Sequence, residues 1–189
     1  MRFRLLVVST EDGFIAREPG HPPADWASPE EQVVFLGAVA AADWAVMGRG
    51  THEAAPRPDR RRVIFTHGAK APEWRAPTQV WLDPEGLTVE DIARLVASRR
   101  PLRDGLILGG AAVHDWFHRQ GRVDEITLTV EPIAFGAGVP IFSGQAPGDP
   151  VAALRAKGYE PVAERRLNAA GTRLITLAAT STNGDIQGI

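Results

Sequence analysis

Leu106-Ile107-Leu108-Gly109-Gly110-Ala111-Ala112-Val113-His114 is an apolar run that stops on two glycines and continues into residues that suit a helix. A run of this length bounded by glycine fits a buried strand. The glycines let a ligand approach the backbone, and the following helix turns its positive end toward that ligand. The stretch lacks the Gly-x-Gly-x-x-Gly dinucleotide pattern, and a glycine pair alone is usually a plain turn. Val46-Met47-Gly48-Arg49-Gly50-Thr51 repeats the arrangement of strand, glycine turn and short helix. Free N–H groups at such a turn favour phosphate and Arg49 adds a charged fork, with a solvated arginine at an ordinary turn as the equal alternative. Two such turns reinforce each other, because open α/β sheets bind ligands along the C-terminal edge of their strands.

Outward from these turns the chain alternates between strands and helices. Residues 3–9 form a continuous apolar run, fit for a strand buried on both faces. Residues 16–27 hold three prolines and read as a loop. Ser28-Pro29-Glu30-Glu31 opens a helix to about Ala41: serine caps, proline suits the first position, and Glu31 completes a capping box. Further strands are expected at 44–47, 62–66, 79–82, 105–108 and 125–130, and helices at 88–99 and 112–120. Residues 159–168 and 172–179 read as a hairpin, followed by a polar tail from 181 to 189. The expectation is one α/β domain over residues 1–180, with a mainly parallel sheet and an antiparallel C-terminal hairpin.

Composition narrows the function. The chain has 189 residues, 44% hydrophobic and 23% charged, with net charge −2 and no cysteine. That balance supplies no field for nucleic acid or an anionic membrane, and thiolate chemistry is excluded. The apolar start at residues 5–8 is too short for a signal peptide or a membrane span, so a cytoplasmic location is expected.

Three further groups could carry chemistry. Glu31, on the first helical turn near Trp26, could hold a proton at raised pKa, or it could be spent on the capping box. His114 and His118 share a helix face but lack a third zinc ligand, so no metal site is expected. Arg60-Arg61-Arg62 suits a solvated loop, with a substrate carboxylate or phosphate as the minority reading.

Together these residues resemble the dihydrofolate reductase-like superfamily. Ser9-Thr10-Glu11-Asp12-Gly13-Phe14-Ile15-Ala16 is similar to the first-strand signature of the riboflavin-biosynthesis reductase domain. Trp26-x4-Glu31-x3-Phe35 is similar to the tryptophan, acid and phenylalanine of dihydrofolate reductase. Gly109-Gly110-x2-Val113-His114 resembles its second glycine motif, and Gly136-x-Gly138-x-Pro140-x-Phe142 points to the riboflavin-type branch. The resemblance implies a three-layer fold with a central sheet of about eight strands and helices on both faces. It also implies NADPH as hydride donor and a homodimer. By position it places Gly48, Arg49, Thr51, Gly109, Gly110, Val113 and His114 along the cofactor, with Thr66 and His67 near the adenosine 2′-phosphate. Trp26, Glu31 and Phe35 would face the substrate, Glu31 as the catalytic group, and Arg60 would hold a substrate carboxylate. Asp83 falls where these enzymes often carry a basic residue, which leaves NADH open as the donor. No deaminase portion is recognisable, so a free-standing reductase is implied, with dihydrofolate reduction as one alternative. A non-catalytic nucleotide-binding module is the rival from another class.

Overall fold

The computed structural model describes residues 1–180. The tail expected at 181–189 lies outside the described residues. Eleven strands and five helices follow one another along the described chain. β1 (Arg2–Thr10) is succeeded by β2 (Phe14–Ala16), a single 3-10 turn at Pro23–Asp25, and α1 (Pro29–Ala41). Next come β3 (Trp44–Gly48), α2 (Arg49–Ala54), β4 (Arg62–Phe65), β5 (Glu73–Ala76), β6 (Gln79–Leu82) and α3 (Val89–Ala97). The second half holds β7 (Asp104–Gly109), α4 (Ala111–Arg119), β8 (Glu125–Glu131), β9 (Val139–Pro140), α5 (Pro150–Arg155), β10 (Tyr159–Arg166) and β11 (Arg173–Ala179).

Nine strands form one sheet in the order β10-β11-β8-β1-β7-β3-β4-β6-β5. The inner pairs are parallel, while β11 against β8, β10 against β11 and β5 against β6 are antiparallel. This is the mainly parallel sheet with an antiparallel C-terminal hairpin expected from sequence, with β5 added to the about eight strands anticipated. β5 escapes a sequence reading because Glu73-Trp74-Arg75-Ala76 is an exposed edge segment with little apolar content. The short strands β2 and β9, which pair with each other, and the short α5 are also new.

Strand alternation decides which helices cover which face. Leu5 and Val7 of β1 point into the main core, where α3, α4 and α5 contribute Val89, Ile92, Val96, Val113, Phe117 and Leu154. Leu6 points the other way and joins Leu106 and Ala42 beneath α1. α1 is apolar on nearly every side, and Val33 and Leu36 remain exposed on it. At the centre of the main core, Gly105 of β7 stands in register with Phe3 on one side and Trp44 on the other. Both neighbours are almost wholly buried. Two large rings fit side by side because the strand between them carries no side chain. Phe3 then packs on Phe117 at 4.9 Å between ring centres.

A Cβ added at Gly105 would stand 2.5 Å from Cδ1 of Phe3. Gly105→Ala should therefore destabilise the protein by about 1–3 kcal/mol through overpacking. Urea unfolding at neutral pH checks this, and unchanged stability would mean that the Phe3 ring has room to move aside.

Candidate active site

The C-terminal ends of the parallel strands carry the site, and α1 starts there. Ser28 caps α1 by accepting from the Glu31 N–H at 3.3 Å. The capping box expected from sequence is only half formed. Ser28 sends its own N–H across to Oε1 of Glu131, at the end of β8, at 2.8 Å. The Glu31 carboxyl is therefore not spent on the helix end. It is 3% exposed, and the Gln32 side-chain amide donates to it at 3.1 Å. Burial, and then the charge of Glu131, push its pKa up to about 7. Glu131 is equally buried and accepts a second bond from the Thr172 hydroxyl at 2.6 Å.

Trp26 lies on the loop that leads into α1. Its indole N–H is buried and has no hydrogen-bond partner among the described residues. The ring meets Phe135 edge-on at 5.1 Å, and the Arg17 guanidinium covers Phe135 at 4.2 Å. The segment between β2 and α1 is thus clasped to the loop after β8. Asp12 fixes that second loop by accepting from the N–H groups of Phe135 and Gly136 at 3.2 and 2.7 Å.

The two glycine turns meet at the ends of the neighbouring strands β3 and β7. A Cβ on Gly48 would stand 3.6 Å from Val113 and 3.9 Å from the Gly109 carbonyl. The Gly109–Gly110 peptide is cis, and Gly109 has φ +91°. A side chain there would meet Nε2 of His114 at 2.6 Å. His114 donates from Nδ1 to the Ile141 carbonyl at 2.7 Å, and burial drives its pKa down to about 4, so the ring is neutral. At 1% exposure, His114 reaches a ligand only through the glycine backbone above it.

Arg49 is exposed and stands 3.9 Å from Glu53, while Thr51 is half-buried on α2. Thr66 and the exposed His67 line a cavity of about 540 Å³ together with Lys70 and Arg75. Asp83 accepts from the N–H groups of Gly68 and Glu85 at that rim, and these bonds hold its carboxyl below the usual range. Phe35 lies on α1 one turn beyond Glu31, under the Arg60 guanidinium at 5.9 Å. Arg60 lines a further cavity of about 390 Å³ with Leu36, Val39, Arg57 and Arg62. The two helix histidines turn to separate partners, since His118 Nδ1 meets the Tyr159 hydroxyl at 2.9 Å. Among the described residues no group of three His, Cys, Asp or Glu is placed to hold a metal ion. Among them, too, no helix is long and apolar enough to cross a membrane.

The family model described as the RibD C-terminal domain matches residues 5–166. The chain is 27% identical over 151 residues to the uncharacterized protein YwjB of Bacillus subtilis (strain 168), which covers 73% of this chain and 80% of that protein. Dihydrofolate reductase from Enterococcus faecalis, complexed with NADP(H) and RAB-propyl, superposes with a TM-score of 0.63 at 20% identity over 95% of this chain and 96% of its own. The diaminohydroxyphosphoribosylaminopyrimidine deaminase/5-amino-6-(5-phosphoribosylamino)uracil reductase of Thermotoga maritima gives a TM-score of 0.69 at 18% identity. That match covers 94% of this chain and 56% of the Thermotoga protein. At these identities the two structures establish the fold.

The raised Glu31 pKa has a thermodynamic signature. The unfolded chain releases this proton near 4.5, whereas the folded chain keeps it to about 7. Stability should therefore fall as pH rises between those values, by about 3 kcal/mol in all. His114 acts with opposite sign. Its contribution is present above 6.5 and is lost as pH falls toward about 4. Urea midpoints for the native chain and Glu31→Gln, taken from pH 4 to pH 8, separate the two. The difference between the curves should slope only in the Glu31 window, and a flat difference would mean an ordinary glutamate.

Proposed function

The chain belongs to the RibD C-terminal domain family, and on that premise we propose that it is an NAD(P)H-dependent reductase acting on a ribosylamino-pyrimidine or a pterin-like substrate. The observation that carries this reading is the Glu31 carboxyl, buried at the sheet edge, clear of the helix cap and able to carry a proton near neutral pH. Had Glu31 turned into the capping box, the reading as a nucleotide-binding module would have gained weight.

The residues present fit a dinucleotide. Gly48, Gly109 and Gly110 leave a strip of bare backbone at the strand ends, and a side chain at Gly109 would run into the His114 ring. Their N–H groups, with Arg49, Thr51 and Val113 alongside, would hold the pyrophosphate. His114 supports that strip from below. Thr66 and His67 would meet the adenosine end, where Lys70 adds positive charge and Arg75 is paired with Glu73. When bound, NADPH supplies a hydride to an electrophilic carbon.

The chain's own residues do the rest. Trp26 and Phe35 offer aromatic surface on which a heterocycle stacks. Arg60 holds an anionic group of the substrate. Glu31, directly or through water, gives the proton that matches the hydride. The loop clasped over Phe135 keeps bulk water from the reacting atoms, and orientation supplies most of the acceleration.

Titration of the protein with NADPH and with NADH, followed by quenching of its five tryptophans, tests the reading. Saturable binding is expected for both, and about tenfold tighter for NADPH, because charge-assisted contacts to a phosphate outweigh an Asp83 already committed to backbone N–H groups. Gly109→Ala should weaken both by about tenfold, on the order of 1.4 kcal/mol, because its Cβ would push on the His114 ring and the positive φ disfavours alanine, which shifts the backbone strip. Failure of the native chain to bind either would sink the cofactor assignment.

A further inference from the structure

Glu131 is buried at the end of β8, and its two oxygens are both engaged, one by the Ser28 N–H at 2.8 Å and the other by the Thr172 hydroxyl at 2.6 Å. Among the described residues it forms no ion pair with a lysine or arginine. In a complete capping box the N-cap N–H is bonded by the residue three places on. The chain shows one at α3, where Asp91 accepts from the Thr88 N–H at 2.8 Å and Thr88 accepts from Asp91 in return. At α1 the sequence supplies the same pattern, Ser28 and Glu31, yet an acid from 103 residues away takes the N–H.

We propose that Glu131 is a positioning residue for Glu31: by accepting the Ser28 N–H itself it keeps the Glu31 carboxyl off the helix cap and leaves it at the sheet edge beside a second carboxylate. The proposal rests on the reductase reading, in which Glu31 is the proton donor. Glu131 is the charged group whose field raises the proton affinity of Glu31, second only to burial in its effect. Glu30, on the same helix turn, is exposed and bonded by the Asn168 amide. Glu131 therefore does two things at one place. It satisfies the helix terminus, and its charge adds to burial in favouring the protonated form of Glu31. Glu131 itself touches no reacting atom in this scheme.

Carboxyl ¹³C resonances of labelled glutamate, recorded against pH on the full chain, test this without substrate or cofactor. Glu31→Gln assigns the Glu31 signal. In Glu131→Gln, whose amide oxygen still accepts from Ser28, the Glu31 proton affinity should drop by about threefold or more. An unchanged midpoint overturns the proposal. If Glu131→Gln does not fold, the native chain gives a second measurement, because coupling is reciprocal. The Glu131 resonance should inflect at the Glu31 midpoint and lose that inflection in Glu31→Gln, and a Glu131 signal without it overturns the proposal equally. The reductase reading is judged separately by NADPH titration. Loss of cofactor binding in the native chain removes that reading while the carboxyl titration stays measurable, and an uncoupled carboxyl pair leaves cofactor binding intact.

Discussion

The site depends on Gly109, where a side chain would run into the His114 ring. β3 and β7 are neighbours in a parallel sheet, and both end on glycine, at Gly48 and Gly109. The gap between these ends is floored by backbone and closed from below by His114 and Val113. A backbone-lined strip at the carboxyl edge of a parallel sheet, with helices starting from it, offers N–H groups to an extended anionic ligand. The His114 ring can lie so close under Gly109 only because that residue lacks a Cβ and adopts positive φ. Its neutrality follows from the same burial, since a charged imidazole there would be costly to desolvate.

The second half of the site is built by contacts distant in sequence. α1 has a weak claim to any orientation of its own, because its apolar residues surround it. What fixes its first turn is the bond from the Ser28 N–H to Glu131, together with the bond that the Asn168 amide, in the hairpin turn between β10 and β11, donates to Glu30. The C-terminal hairpin thus does more than close the sheet edge. Through Thr172, Asn168 and Glu131 it sets where α1 begins, and so where Glu31 and Phe35 stand.

Much of this was legible in the sequence. The buried strands announce themselves as apolar runs, and the two glycine turns mark strand ends. The spacing from Trp26 to Glu31 to Phe35 places all three near one helix start. The misses have a common cause. β5, β9 and α5 are short or exposed, so tertiary pairing rather than periodicity decides them. Glu131 reads as the polar end of a strand before Pro132, and nothing near it in sequence points to Ser28. The capping-box pattern at Ser28 is correct for the local chain and wrong for the molecule, because a distant acceptor wins the same N–H. Thr88 and Asp91, with no such competitor, form the full box that the residues allow.

Glu31 and Glu131 are alike in chemistry and in burial, so their surroundings must separate their roles. Glu131 faces two strong donors, a backbone N–H and a hydroxyl. Glu31 has only the side-chain amide of its neighbour Gln32. Donors aimed at a carboxylate stabilise its charge, and burial without them favours the acid. Glu131 is thereby committed to the framework by its hydrogen bonds, and Glu31 is left buried without such donors. Had Glu31 closed its own capping box, the Ser28 N–H would have been a donor to it, pulling its pKa back toward the ordinary range. The long-range bond that orders the helix is thus the same one that leaves the Glu31 carboxyl clear of the helix cap.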